Sequence, residues 1–346
     1  MKKVLIGMSG GVDSSTTAAL LINQGYNVSG ITLILTHPYD ESSVNDAKDV
    51  AHQLGIKHIT LDLSQEFKAS VINYFANEYL CGRTPNPCIK CNQTIKFGKM
   101  LDYALENGFD SVATGHYAKI VFDNASRRYL LKKSISKKDQ SYFLYRLNQH
   151  QLSHMLTPLD DYEKIEVREF AKKLGLKVAQ KSESQDICFI KNISHGKFIE
   201  NYTQKESLPG FFINDSGEKI GTHKGIINYT IGQRKGLGIA LGEPVYVTKI
   251  DAKNNFITLS PIKNGLKKEI FLSTPNFIKF KNPPSEFKAL AKIRYRSEPA
   301  QCCVNVLPGE ILKVTFDEPQ KFPAPGQSTV FYDNCGNVIG GGIIEG

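Results

Sequence analysis

Two stretches of this chain carry residue types that can do chemistry. The first is Gly7-Met8-Ser9-Gly10-Gly11-Val12-Asp13-Ser14, with Ser15 behind it. Glycines let a phosphate approach the main chain without a Cβ in the way, and Ser9, Ser14 and Ser15 add hydroxyl donors. Val4-Leu5-Ile6 ahead of the stretch reads as a buried parallel strand, and Ala18–Ile22 behind it as a helix that stops at Gly25. A strand, a glycine turn and a helix start gather free N–H groups and a positive dipole end around one anion. A Walker loop would end in Gly-Lys-Ser/Thr. No lysine follows here; Asp13 stands in that region. The three-glycine dinucleotide fingerprint is missing as well. A glycine turn that binds nothing is the competing explanation.

The second stretch is Gly82-Arg83-Thr84-Pro85-Asn86-Pro87-Cys88-Ile89-Lys90-Cys91-Asn92. Two prolines restrict the backbone, and a Cys-x-x-Cys pair is presented at the edge of the following helix. Arg83, Lys90 and Lys96, together with a helix N-terminus, are expected to lower a thiol pKa. Ser182–Ile190 offers one more cysteine, Cys188, in a polar-then-apolar setting. Three readings compete: redox or sulfur-carrying thiols, a metal or iron–sulfur site made by Cys88, Cys91 and Cys188, and inert buried cysteine.

The elements that must position these residues alternate from Val28 to about Ala125. Val28–Leu35 and His58–Leu61 read as strands, and Val112-Ala113 begins another. Val44, Ala47, Val50, Ala51 and Leu54 trace one helical face; Phe67, Val71, Phe75 and Tyr79 trace a second, and Met100–Leu105 a third. This rhythm predicts an α/β fold, a doubly wound parallel sheet whose ligands sit beyond the carboxyl ends of the strands. Gly7–Ser14, the residues near Leu33 and Thr114-Gly115-His116-Tyr117 should therefore share one crevice. A chain of 346 residues has room for two or three domains. Its formal charge of +9 favours a polyanionic partner. Seven cysteines, an odd number, do not suggest a secreted disulfide framework. Residues 1–6 run straight into the loop without a signal peptide, and no apolar stretch reaches the length of a membrane span. Cytoplasmic, reduced thiols are expected.

The string SGGVDSS resembles the loop of the N-type ATP pyrophosphatases, the PP-loop enzymes that split ATP between its α and β phosphates. Further motifs narrow the resemblance: TPNPCIKCNQTIKFG, ATGHYA at Ala113–Ala118, KKDQSYFLY at Lys137–Tyr145, SQDICFI at Ser184–Ile190 and GQRKGLGIA at Gly232–Ala240. Together they look like the bacterial tRNA-specific 2-thiouridylases, which convert a wobble uridine to 2-thiouridine. The match runs as far as Pro325-Gly326-Gln327.

The resemblance implies a catalytic pair, Cys188 carrying a persulfide and Cys91 as partner nucleophile, with a disulfide left between them after turnover. It implies ATP, with Mg2+, on Gly7–Ser14, Leu33 and Gly115, and no resident metal. It implies tRNA contacts at Asn86, Pro87, Cys88, His116, Lys138, Asp139, Gln140, Arg294, Tyr295 and Gln327. The partners it implies are a tRNA anticodon loop and an upstream persulfide donor protein. Cys88 departs from the familiar pattern, in which aspartate often follows Asn-Pro.

After about Glu200 the pattern changes. Residues 201–262 read as a small mixed, tRNA-binding module with a hairpin at Asn254-Asn255 and a basic loop, Gln233-Arg234-Lys235-Gly236. Residues 263–346 read as an antiparallel β-barrel that binds RNA. Nine Lys and Arg lie between Lys263 and Arg296, suited to an RNA backbone, and Tyr295 could stack on an exposed base. Cys302, Cys303 and Cys335 are read as structural. The PP-loop catalytic domain then covers residues 1–200. A lysidine synthetase-like enzyme, an iron–sulfur-dependent thiolase and an RNA-binding module with a relic nucleotide site are the rival functions.

Overall fold

A computed structural model describes residues 1–180, 187–239 and 242–346. Its N-terminal part is a five-stranded, all-parallel sheet. Strands β1 (Lys3–Gly7), β2 (Asn27–Ile34), β3 (Lys57–Asp62) and β4 (Ser111–Ala113) lie in the order β3-β2-β1-β4, and Met155–Leu156 adds the far edge. Successive side chains of β1 point to opposite faces. Val4 and Ile6 join the cluster formed by α1 (Val12–Asn23), α2 (Glu41–Gln53) and the helix Lys164–Lys173. Leu5 joins the opposite cluster with Phe97, Met100, Leu101 and Ala104. Both faces are covered, which is why these strands are continuous apolar runs rather than alternating ones. The strand order reverses between β1 and β4, and the loops after both strands open into the crevice there.

Two helical segments depart from simple α periodicity. Ser64–Phe67 continues through a π-helical turn, Lys68–Ile72, into Asn73–Leu80. Pro87–Cys91 continues through Asn92–Lys99, also π-helical, into Met100–Glu106. Such turns recur at functional sites, and Cys91 stands at the start of the second.

Gly210–Ile213, Lys219–His223, Tyr246–Asp251 and Phe256–Ser260 form a four-stranded sheet, the last two joined through the expected Asn254-Asn255 turn. Its core takes in Phe75, Ala76 and Tyr79 of the preceding helix. Six antiparallel strands from Leu266 to Ile344 close a barrel. The barrel does not hang from a linker. Ile278, Val330, Tyr332 and Val338 share a core with Tyr142 and Tyr145, and Tyr142 Oη donates to the Ser328 carbonyl at 2.7 Å. The resemblance segment Ser141–Tyr145 therefore anchors the barrel. Among the described residues no helix is long and apolar enough to cross a membrane.

Candidate active site

The glycine loop forms the turn its composition demands. Gly10 has φ of +67°, and a Cβ there would stand 2.4 Å from the Ser43 carbonyl oxygen. Gly11 caps α1 in an extended conformation, and no side chain of the N-cap accepts from its first-turn N–H groups. Met8 is buried and continues the sheet through its N–H to Ile31 O at 2.8 Å. The hydroxyls differ from expectation. Ser14 Oγ and Ser15 Oγ both donate to the Gly11 carbonyl, at 3.1 and 2.9 Å. They pin the turn, while Ser9 is exposed.

Asp13 is held by residues the sequence did not single out for it. Lys164 Nζ donates to both of its carboxylate oxygens at 2.7 Å, and Tyr117 Oη donates to Oδ1 at 2.8 Å. Lys164 lies 151 positions away, and no local signal marks it. Gly115 is glycine for want of room. A Cβ there would lie 2.9 Å from the Asp13 Cβ and 3.0 Å from the Ser14 nitrogen. The close approach expected of Gly115 is thus made to the loop itself.

The cysteines converge from two segments. Asn86 caps the helix Pro87–Cys91 through Oδ1, which accepts from Ile89 N–H at 3.4 Å, with Pro87 in the first turn. Cys91 is buried with Phe67, Val71 and Ile95, and Leu33 at the end of β2 packs on the same cluster. Phe189, the residue after Cys188, packs there too, its ring centroid 5.6 Å from Phe67 and 5.4 Å from Phe75. Cys188 and Cys88 both lie near enough to Cys91 to disfavour its thiolate further. All seven cysteines are free thiols.

The expected lowering of thiol pKa is reversed. Burial pushes Cys91 up to about 12 and outweighs the opposing charge of Lys96. Burial also raises Cys88 and Cys188, again against Lys96. Both of these are solvent-accessible, yet protein atoms crowd them enough that desolvation dominates. The rest of the SQDICFI motif, Ser184–Asp186, lies outside the described residues, as does Ala240 of GQRKGLGIA. Among the described residues no three His, Cys, Asp or Glu side chains are arranged to hold a metal ion.

His116 is buried against Phe97, with Nδ1 2.7 Å from Thr114 Oγ1. Burial holds its pKa well below the ordinary value, so the ring is neutral. Several residues expected at tRNA have partners within the chain. Asp139 accepts from Ser134 N–H, Ser141 N–H and Ser141 Oγ, and burial raises its pKa. Gln140 Oε1 accepts from Tyr117 N–H at 3.1 Å; the main-chain N–H of Lys138 donates to Ser136 Oγ. Tyr295 packs against Phe143 at 4.4 Å between centroids. Arg294 is exposed, one guanidinium nitrogen donating to Lys321 O.

Gln327 reaches the cysteine arm, its Nε2 donating to the carbonyls of Thr84 at 2.9 Å and Pro85 at 3.4 Å. Arg83, just ahead, bonds Glu78 of the preceding helix Asn73–Leu80 and Glu345, just past the last barrel strand. Arg294 and Gln327 line, with Thr84, Thr230 and Phe322, a cavity of about 140 Å3 where the domains meet. A larger depression of about 310 Å3, between Asp46–Gln53 and Lys177-Val178, holds none of these residues.

Comparison with known proteins adds three family matches in chain order. A tRNA methyl transferase HUP domain matches residues 2–192, a tRNA methyl transferase PRC-barrel domain 196–261, and an aminomethyltransferase beta-barrel domain 267–344. The chain is 49% identical over 357 aligned positions to the tRNA-specific 2-thiouridylase MnmA of Acetivibrio thermocellus, covering 99% of each. It is 46% identical over 355 positions to the protein of the same name from Clostridioides difficile, covering 99% of this chain and 98% of that one.

Proposed function

The chain belongs to the tRNA-specific 2-thiouridylase family, and from that premise we propose that it is an ATP-dependent sulfurtransferase that installs sulfur at C2 of a tRNA wobble uridine. The domain matches carry methyl-transfer names and the full-length relatives thiolation names. A methyl transfer has no need of two converging thiols, so the cysteines favour thiolation. The single observation that carries this reading is the packing of Phe189, next to Cys188, into the cluster that buries Cys91 beside Leu33.

The mechanism follows from what each group can do. A uracil carbonyl oxygen is a poor leaving group. The N–H groups at the start of α1 hold the outer phosphates of ATP, and the uracil oxygen attacks the α-phosphorus. The bond to the β-phosphate breaks, pyrophosphate departs and N3 gives up its proton. Mg2+ supplies further charge neutralisation on the phosphates; Asp13 is the carboxylate of the loop that would hold it. Leu33 and Gly115 flank the nucleotide.

The terminal sulfur of a Cys188 persulfide then attacks C2, and AMP leaves. Cys91 attacks Cys188 Sγ as its thiol proton is given up, the S–S bond of the persulfide breaks, a Cys91–Cys188 disulfide forms, and the sulfur remains on C2 as N3 takes a proton back. A cellular dithiol reduces that disulfide, and a cytoplasmic persulfide protein reloads Cys188. Asn86-Pro87-Cys88 and His116 border the target base. Lys138–Gln140, Arg294 and Tyr295 face the anticodon stem-loop, whose unpaired bases leave their stack at a cost of about a few kcal/mol, and Gln327 stands behind the Thr84-Pro85 segment. Residues 1–200, 201–262 and 263–346 act as catalytic, central and RNA-binding domains.

The test supplies the full chain with ATP, Mg2+, unmodified tRNA and a persulfide donor, and measures 2-thiouridine by nucleoside mass spectrometry. Wild type and Cys88→Ser should form it, whereas Cys91→Ser and Cys188→Ser should not. Loss confined to Cys88→Ser would overturn the reading.

A further inference from the structure

The helix that carries Cys91 widens just past the cysteine. Asn92–Lys99 is π-helical, with bonds from residue i to i+5 such as Met100 N–H to Ile95 O. Five residues of α-helix carry a side chain about 140° past one full turn, and Lys96 would then point away from Cys91. The wider turn brings it back toward the cysteine's face. Its charge bears on Cys91, and on Cys88 and Cys188 as well, with Lys191 a second cation acting on Cys188. What holds the turn wide comes from another element. Gln151 is buried in the short helix Gln149–Ser153. Its Nε2 donates to the carbonyls of Gln93 at 2.9 Å and Phe97 at 2.7 Å. Laid end to end, those two bonds span about 5.6 Å, less than the ~6.0 Å that four residues rise in an α-helix. One nitrogen serves both oxygens only where the turn is shortened. Oε1 is fixed too: it accepts from Asn148 N–H at 3.0 Å, while Asn148 Oδ1 accepts from Gln151 N–H at 2.8 Å. Asn92 Nδ2 ties the start of the turn to Phe143 O at 3.1 Å. A buried side chain thus spends all its polar atoms on its own cap and on one irregular turn beside the thiols.

We propose that Gln151 is a positioning residue for sulfur transfer: by clamping the π-turn Asn92–Lys99 it sets the Lys96 ammonium beside the sulfurs of Cys91 and Cys188. Cys91 acts as a thiolate when it attacks Cys188 Sγ, in a cluster where burial opposes that charge. Lys96 offsets part of the cost, and a turn relaxed to α-helix would swing it away. The proposal rests on the sulfur-transfer reading and adds the residues that prepare its thiols.

The experiment uses the full chain, and its first readout needs neither ATP nor tRNA. It follows alkylation of Cys188 by iodoacetamide at one fixed pH, with peptide mass spectrometry. Lys96→Met should slow that reaction by roughly threefold to tenfold, and Lys96→Arg should restore most of the loss. Gln151→Leu should slow it by a similar factor. The double variant should be no slower than either single one, because one residue acts through the other. In single-turnover thiolation the same variants should lose rate by a comparable factor, with ATP and tRNA affinities unchanged. The Lys96 arm does not depend on the folding of the clamp variant. A clamp that served stability alone would lower Tm in Gln151→Leu and leave Cys188 alkylation where it is, which would overturn the proposal. Unchanged alkylation in Lys96→Met, or slowing that adds in the double variant, would overturn it as well. Wild type whose alkylation follows this pattern but that forms no 2-thiouridine would bring down the sulfur-transfer reading rather than the clamp.

Discussion

The glycine loop Gly7–Ser14 and the cysteine arm Gly82–Cys91 face the same carboxyl edge of the sheet, yet they are shaped from different distances along the chain. The turn of the loop is self-made, although its Asp13 takes Lys164 and Tyr117 from far along the chain. Ser14 and Ser15 tie its turn to Gly11, and β1 and α1 fix its two ends. The arm has little internal bonding beyond the Asn86 cap. Its Thr84 N–H donates to Pro325 O at 2.7 Å, and its carbonyls accept from Gln327. Arg83 is tied to Glu345, 262 positions away. The turn of the loop can therefore form locally, whereas placing the thiol requires the barrel to be seated.

The largest effect should come from breaking the loop. Gly10→Ala forces a left-handed backbone on a residue with a Cβ, costing about 1–3 kcal/mol, and drives that Cβ toward Ser43 O. ATP affinity and tRNA-dependent pyrophosphate release should fall by roughly two orders of magnitude, read by calorimetry and a pyrophosphate assay. Seating of the arm should not change. Retained ATP binding in Gly10→Ala would dissolve the contrast between the two regions.

Breaking the arm should give the reverse profile. Arg83→Met leaves Glu78 and Glu345 without their shared cation in a partly buried setting, a loss of about 1–3 kcal/mol. Thiolation kcat should drop by roughly tenfold while ATP affinity stays put. Parallel loss of both would mean that the arm and the loop are one unit.

The same comparison explains what could be read in advance. Strand, glycine turn and helix lie within about twenty residues, so local propensity was enough for the loop, and the recurring strand lengths were enough for the barrel. The thiol environment was misjudged because it depends on side chains from elsewhere. Arg83, Lys90 and Lys96 are neighbours in sequence, but Phe67 and Val71 of another helix keep water from Cys91, and the cost of desolvating its thiolate exceeds what Lys96 offsets. The π-helical turn at Asn92–Lys99 has no composition of its own, and Lys164 finds Asp13 only through the packing of its helix on α1.

That burial sets up a pH test of intermediate size. With its pKa near 12, Cys91 is a thiol at neutral pH in the free enzyme. Its alkylation by iodoacetamide, followed by peptide mass spectrometry, should rise about tenfold per pH unit, with no plateau below pH ~10. The sign for stability follows. The folded state holds this proton more tightly than the unfolded chain, whose thiol has the ordinary value of 9.0. The contribution is complete below that value and is lost as pH climbs toward 12. A plateau near neutrality would show Lys96 prevailing over desolvation.

Gln327 gives the smallest effect and the sharpest discrimination, because two roles compete for one side chain. As a tRNA contact it would act on RNA affinity; as a brace it acts on the arm through the Thr84 and Pro85 carbonyls. Gln327→Leu removes both bonds at a cost of about 1 kcal/mol. If the brace dominates, the arm loosens in the absence of RNA. Cys91 should then alkylate a few times faster, and thiolation kcat should fall by roughly threefold to fivefold with tRNA affinity unchanged. If RNA contact dominates, tRNA Kd should rise by a similar factor while Cys91 alkylates as in wild type. The geometry favours the first outcome, since the amide nitrogen already spends its donors on the arm, and only its oxygen is left to meet an RNA donor.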